Sequence, residues 1–130
     1  MPILVDTGAL ELLRRRNTKV EDLAIRFYPP ILCAHVAAEF LYGQVLAKVS
    51  PTAFVQAQEF LDSFEFLAPD RSTATRYARI RARLKALGQS MPDPDYWIAA
   101  HAIEEQVPLV TTDTDFRLLT ELELHVITRP

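Results

Sequence analysis

The sequence predicts an α/β fold of three layers, with helices on both faces of a mostly parallel central sheet. Short, continuously apolar runs of strand character alternate with longer stretches of helical period along the whole chain, as expected when strands are buried on both faces. Acids also fall just beyond two of the runs: Asp6 ends the first, and Asp113 follows VPLVTT. In an open parallel sheet that is the position of the functional crevice.

Residues 2 to 6 (PILVD) read as a strand, and Gly8 to Arg16, with Leu10, Leu12 and Leu13 before a basic end, as a helix. A second short helix is predicted over Val20 to Tyr28. Pro29-Pro30 then resets the chain, and ILCA supplies a buried strand. His35 to Lys48 and Pro51 to Ser63 read as paired helices, the second opened by Ser50 as cap and Pro51 as first helical residue. FEFLA at 64 to 68 is a strand, and Asp70 to Leu87 a long amphipathic helix ending near Gly88. Asp93, Pro94 and Asp95 read as cap, first and second residues of another helix. VPLVTT is the next strand, Asp115 to Leu119 a short helix, and Leu124 to Ile127 a final strand.

The chain has 130 residues, the usual size of one domain, and nothing in it resembles a linker, a repeat or a low-complexity segment. A single domain over 1–130 is therefore expected. Hydrophobic residues make up 49% and charged residues 24%, which excludes a disordered chain. The longest apolar stretch, ILCAHVAAEFLYG, is interrupted by His35 and Glu39 and is too short to span a bilayer. MPILVDTG lacks the basic and apolar regions of a secretory signal. Cys33 is the only cysteine and sits among Ile31 and Leu32, so it reads as a buried structural thiol in a reducing compartment. A cytoplasmic location is expected. The net charge of -3 argues against nucleic-acid binding by bulk positive charge and leaves only local contacts.

Glu39 is placed mid-helix among Val36, Ala37, Ala38, Phe40 and Leu41, a stretch otherwise written for burial. A buried carboxylate needs a partner, and no fixed cation is evident in the sequence around it. Asp95 falls in the first turn of a helix, where the dipole favours its ionised form. Carboxylates converging from Asp6, Glu39, Asp95 and Asp113 would repel one another unless they shared a hard divalent cation, Mg²⁺ or Mn²⁺. Taken singly, each acid has a plainer role: a turn or cap for Asp6 and Asp113, a solvent-facing position for Glu39, and a helix cap for the neighbouring Asp93.

ILVDTGAL, AAEFLYG, PDPDYWIAAHAI and VPLVTTDTDF resemble, in order and spacing, the motifs of PIN domains, most of all the VapC-type toxins of bacteria and archaea. The resemblance covers the whole chain. It implies catalytic and metal-binding roles for Asp6, Glu39, Asp95 and Asp113, with Asp95 chosen because it stands three residues before Ile98-Ala99-Ala100. Asp115, before Phe116, matches a further acid of the family and implies contact with the metal or its water. Thr7 matches a hydroxyl that accompanies the first acid, as a helix cap or a support for metal-bound water. Gly8 departs from the pattern, standing where Ser is common.

The resemblance further implies a Mg²⁺- or Mn²⁺-dependent endoribonuclease acting on single-stranded or looped RNA, a homodimer, and a cognate antitoxin that covers the site. Water activated by metal is the nucleophile such an enzyme uses. His35, His101 and His125 read as structural. Arg14, Arg15, Arg16, Arg76, Arg79, Arg81, Arg83 and Lys85 are the cations available for phosphate contacts, with a solvated helix face the plainer reading for most. The alternatives are an RNA-processing nuclease that is not a toxin, and a non-catalytic PIN-like binding or scaffold module. A receiver-type phosphoacceptor lacks its early acidic pair here, and a phosphatase with two acids one residue apart fails because Thr7-Gly8 follow Asp6.

Overall fold

A computed structural model describes residues 1–130. The chain runs β1 (Ile3–Val5), α1 (Thr7–Arg14), α2 (Thr18–Arg26), β2 (Pro30–Cys33), α3 (Ala34–Leu46), α4 (Pro51–Asp62), β3 (Glu65–Leu67), α5 (Arg71–Ala86), α6 (Asp93–Glu105), β4 (Leu109–Thr111), a 3-10 turn (Thr114–Leu118) and β5 (Leu124–Val126). Every strand pairing is parallel, in the order β3-β2-β1-β4-β5. The predicted α/β architecture is present, with a sheet that is wholly rather than mostly parallel.

β1 lies at the centre, Leu4 standing opposite Ile31 of β2 on one side and Leu109 of β4 on the other. Ile3, Leu4, Val5, Leu32 and Leu109 are fully buried, which explains why these strands read as unbroken apolar runs. From β1 the chain first builds outward through β2 and β3, and later returns to the other side of β1 as β4 and β5. The order therefore reverses between β1 and β4, and the crevice beyond their carboxyl ends is the natural binding position of such a sheet.

Local chemistry fixes the helix starts. Ser50 accepts the Ala53 N–H at 3.1 Å with Pro51 inside the first turn of α4. Asp70 accepts the Thr73 N–H at 3.0 Å while the Thr73 hydroxyl accepts the Asp70 N–H at 3.1 Å, a reciprocal capping box for α5. Two expected caps fall elsewhere. Pro92 is the cap of α6, so Asp93, Pro94 and Asp95 are its first three residues, one step further into the helix than predicted. The Asp93 carboxylate instead accepts from the Tyr77 hydroxyl and from Arg81 at 3.1 Å, joining α6 to α5. At α1 the cap is Asp6, which accepts the Ala9 N–H at 2.8 Å, and Thr7 is the first residue inside the helix. No helix is long and apolar enough to cross a membrane.

Candidate active site

Four of the predicted acids meet in one pocket of about 220 Å³ beyond the carboxyl ends of β1 and β4, lined by Asp6, Glu39, Asp95 and Asp113 together with Thr7, Gly8 and Arg129. Four elements deliver them: the end of β1, the middle of α3, the first turn of α6 and the residues after β4. The fifth acid, Asp115, is exposed and does not line the pocket. Its N–H donates to Asp113 Oδ1 at 2.8 Å, so Asp115 helps to fix Asp113.

Asp6 is held most firmly. Its Oδ1 accepts the Ala9 N–H, and its Oδ2 accepts the hydroxyl of Thr111, a fully buried residue at the end of β4. The Thr111 oxygen in turn accepts the Asp113 N–H at 2.9 Å, so one hydroxyl positions two acids. Burial pushes the Asp6 carboxyl up to about 6; Thr111 and the Ala9 N–H pull it down, and Asp113 and Glu39 push it up again. Asp95, half-buried, is pushed up to about 7, first by burial and then by Asp113, Asp6, Glu39 and Asp115. Burial is the main cause of both shifts, and the charges of the neighbouring acids add to it.

Glu39 is exposed at the pocket mouth, contrary to the burial expected from its apolar neighbours. The Thr7 hydroxyl donates to its Oε1 at 3.0 Å, linking α1 to α3. Thr7 therefore orients an acid rather than capping the helix.

Two contributors were not visible in the sequence. Thr111 acts across a separation of 105 residues from Asp6, and its only signal was a hydroxyl at the end of an apolar strand. Arg129 is the basic residue that lines the acidic pocket, where no fixed cation was expected; its guanidinium donates to Thr112 Oγ1 at 3.3 Å. Gly8 is what makes room for this pair, because a Cβ there would lie 2.1 Å from Thr112 Oγ1 and 3.0 Å from the Arg129 guanidinium. A second depression of about 400 Å³, bordered by Arg15, Asn17 and Glu11, shares Gly8 and Arg129 with the acidic pocket. Most of the other basic candidates pair with acids: Arg14 with Glu11, Arg16 with Glu21, Arg76 with Glu104, Arg81 with Asp93 and Arg83 with Glu121.

The donor set fits a hard divalent cation, being all oxygen and carboxylate-rich.

The PIN domain family model matches residues 3–122. Among solved structures, VapBC-1 from nontypeable Haemophilus influenzae superposes with a TM-score of 0.83 at 22% identity, over 97% of this chain and 98% of the other. VapBC2 from Rickettsia felis, bound to a promoter DNA fragment, gives 0.79 at 23% identity over 97% and 98%. VapBC-5 of the toxin-antitoxin systems of Mycobacterium tuberculosis gives 0.69 at 25% identity over 98% of each chain. Comparison with curated proteins gives no match.

Proposed function

Because this chain belongs to the PIN domain family, whose VapC-type members are nucleases, we propose that it is a Mg²⁺- or Mn²⁺-dependent endoribonuclease, the toxin of a toxin-antitoxin pair. The observation that carries this reading is the convergence of Asp6, Glu39, Asp95 and Asp113 from four separate elements on one pocket. A structural role for any one of them explains that residue and leaves the convergence unexplained.

When bound, the metal lowers the pKa of a water and neutralises charge on the phosphodiester oxygens. The chain's own residues do the rest. Asp6 is fixed by Thr111 and the Ala9 N–H, so its carboxylate needs little reorganisation to engage a cation. Thr7 holds Glu39 in the same pocket. Asp95 adds its carboxylate from the first turn of α6, its pKa pushed up to about 7 by burial and the neighbouring acids, an environment that a bound cation would relieve. Arg129 supplies a fixed positive charge at the rim, and the depression toward Arg15 gives a neighbouring phosphate a place to lie.

A pocket of about 220 Å³ admits a phosphodiester from a flexible strand. The bases of unpaired RNA can splay away from such a pocket, which supports single-stranded or looped RNA as substrate. The net charge of -3 agrees with recognition by a local rim rather than a broad basic face.

For partners, the reading is a cognate antitoxin and a second copy of the chain. The solved neighbours include a toxin-antitoxin complex from Klebsiella pneumoniae and VapBC-5 of a toxin-antitoxin system, and this chain exposes Tyr42, Val45, Leu46 and Val55 on α3 and α4, apolar surface of the kind that partners cover. The test is cleavage of a mixed pool of structured and unstructured RNA with Mg²⁺ or Mn²⁺, comparing the parent with Asp95→Asn and with an EDTA control. Metal-dependent cutting that the variant loses supports the nuclease. Equal cutting by the variant, or none by the parent, sinks it in favour of a binding module.

A further inference from the structure

A second cluster of chemically competent side chains lies beside the carboxylates and has no part in the reaction proposed above. Cys33 ends β2, His35 lies in the first turn of α3, and His101 is in the middle of α6; one ligand atom of each lies within 4.8 Å of the others. Cys33 is fully buried and free of any disulfide, and His101 is only 1% exposed. His35 Nδ1 and His101 Nε2 are both buried without a hydrogen-bond partner. Buried polar atoms are nearly always paired, and two histidines that each carry an orphaned ring nitrogen and group with one free thiol require an explanation.

We propose that Cys33, His35 and His101 form a site for one borderline-soft transition-metal ion, Zn²⁺ above all, distinct from the oxygen-ligated site of the nuclease. Sulfur and imidazole nitrogen are the ligands that Zn²⁺ takes and Mg²⁺ avoids, so the two neighbouring sites are separated by ligand chemistry. Binding converts the Cys33 thiol to thiolate, its proton passing to solvent, while each neutral imidazole donates a nitrogen lone pair. Ligands about 2.0–2.3 Å from zinc lie roughly 3.5 Å apart, so a modest closing of the trio supplies three of the four tetrahedral ligands and leaves the fourth position to water. His35 is partly exposed and stacks on Trp97 with ring centroids 4.9 Å apart, which gives the ion a route in from solvent. Burial holds the His35 imidazole below its ordinary pKa, with Asp93 and Glu39 pulling weakly the other way, so the ring stays neutral and keeps a lone pair for a metal.

The position gives the ion a function. His35 lies one turn before Glu39 on α3, and His101 lies on α6, which carries Asp95 in its first turn. An ion bound by Cys33, His35 and His101 clamps together the two helices that bring Glu39 and Asp95 to the nuclease pocket.

The test uses the full chain, stripped by a chelator and titrated with Co²⁺ in excess Mg²⁺, so that the oxygen site is occupied. A thiolate-to-cobalt charge-transfer band should appear in the near ultraviolet and saturate at one ion per chain. The fluorescence of Trp97, the chain's only tryptophan, should be quenched in parallel. Zn²⁺ should reverse both signals, and Zn²⁺ alone should raise the melting temperature. Cys33→Ser and His101→Gln should abolish the band, whereas Asp95→Asn should keep it. Because Cys33 and His101 are core residues, His35→Asn at the partly exposed position is the companion variant: with an unchanged circular dichroism spectrum it should bind Co²⁺ more weakly by at least about tenfold. Absence of the band in the parent, its survival in His101→Gln, or equal affinity in His35→Asn overturns the proposal.

Discussion

The hydroxyl of Thr111 donates to Asp6 Oδ2 across the β1–β4 pairing, and the same oxygen accepts the Asp113 N–H at 2.9 Å. Replacing it with Val keeps the shape and removes both bonds, leaving a part-buried N–H and a buried carboxylate oxygen unpaired. Thr111→Val should therefore cost about 1–3 kcal/mol of stability by denaturant melts. Thr111 also restrains the Asp6 carboxyl, whose pKa burial raises to about 6. Without the hydroxyl, Asp6 should titrate higher still, and the acid limb of the pH–rate profile should move to higher pH. Thr111→Ser should restore both properties; a Val variant with an unshifted profile would show that the hydroxyl does not tune Asp6.

Gly8 is required by space. A Cβ there would meet Thr112 Oγ1 at 2.1 Å, and Thr112 is what Arg129 holds. The stiff Thr112 side chain must rotate away, and its own Cβ still lies 3.2 Å from the added methyl, so Gly8→Ala should cost about 1–3 kcal/mol of stability. Rotation breaks the Thr112–Arg129 contact, and kcat/KM should fall about tenfold. A variant as active as the parent would mean that the rim tolerates the displacement.

The strands, the helices and the four acids were legible because each has a local cause: an apolar run, a cap, an acid just beyond a strand. Glu39 was read as buried since α3 is apolar on nearly every side, yet α3 leaves Tyr42, Val45 and Leu46 exposed as well. Its apolar character therefore does not translate into burial. The cap of α6 was misplaced by one residue because Asp is the better capping side chain and Pro92 takes the position through backbone geometry alone. What pattern could not reach was contact between distant segments: Thr111 on Asp6, Arg129 at the acidic rim, and His35 beside His101. Each histidine taken alone was reasonably read as structural; only folding brings two of them to one thiol.

Arg129 should act on substrate rather than on folding, being exposed where it lines the acidic pocket. Arg129→Ala should leave the melting temperature unchanged and raise KM for RNA about tenfold, with kcat less affected. The dependence of log affinity on log salt should become shallower by about 0.7, as expected for one lost contact to single-stranded nucleic acid. Arg129→Lys should recover the salt slope and only part of the affinity, since it keeps the charge and loses the fork. An unchanged slope in the Ala variant would remove Arg129 from the binding path.

The raised pKa values of Asp6 and Asp95, to about 6 and about 7, fix the sign of a stability change with pH. Between the ordinary carboxylate value of 3.8 and these values, the folded state holds more protons than the unfolded state. Stability of the metal-free protein should therefore fall as pH rises through that window. The loss from pH 4 to pH 8 should be about 2 kcal/mol, well below two full shifts, because Asp95 is half-exposed and the two acids share one pocket. Mg²⁺ or Mn²⁺ should flatten the decline, since a cation favours the ionised carboxylates. Asp95→Asn removes one of the repelling charges, so at pH 8 it should melt higher than the metal-free parent and gain less from added metal. Thermal melts across pH, with and without metal, check all three outcomes; a variant stabilised by Mg²⁺ as much as the parent would take Asp95 out of the cation site.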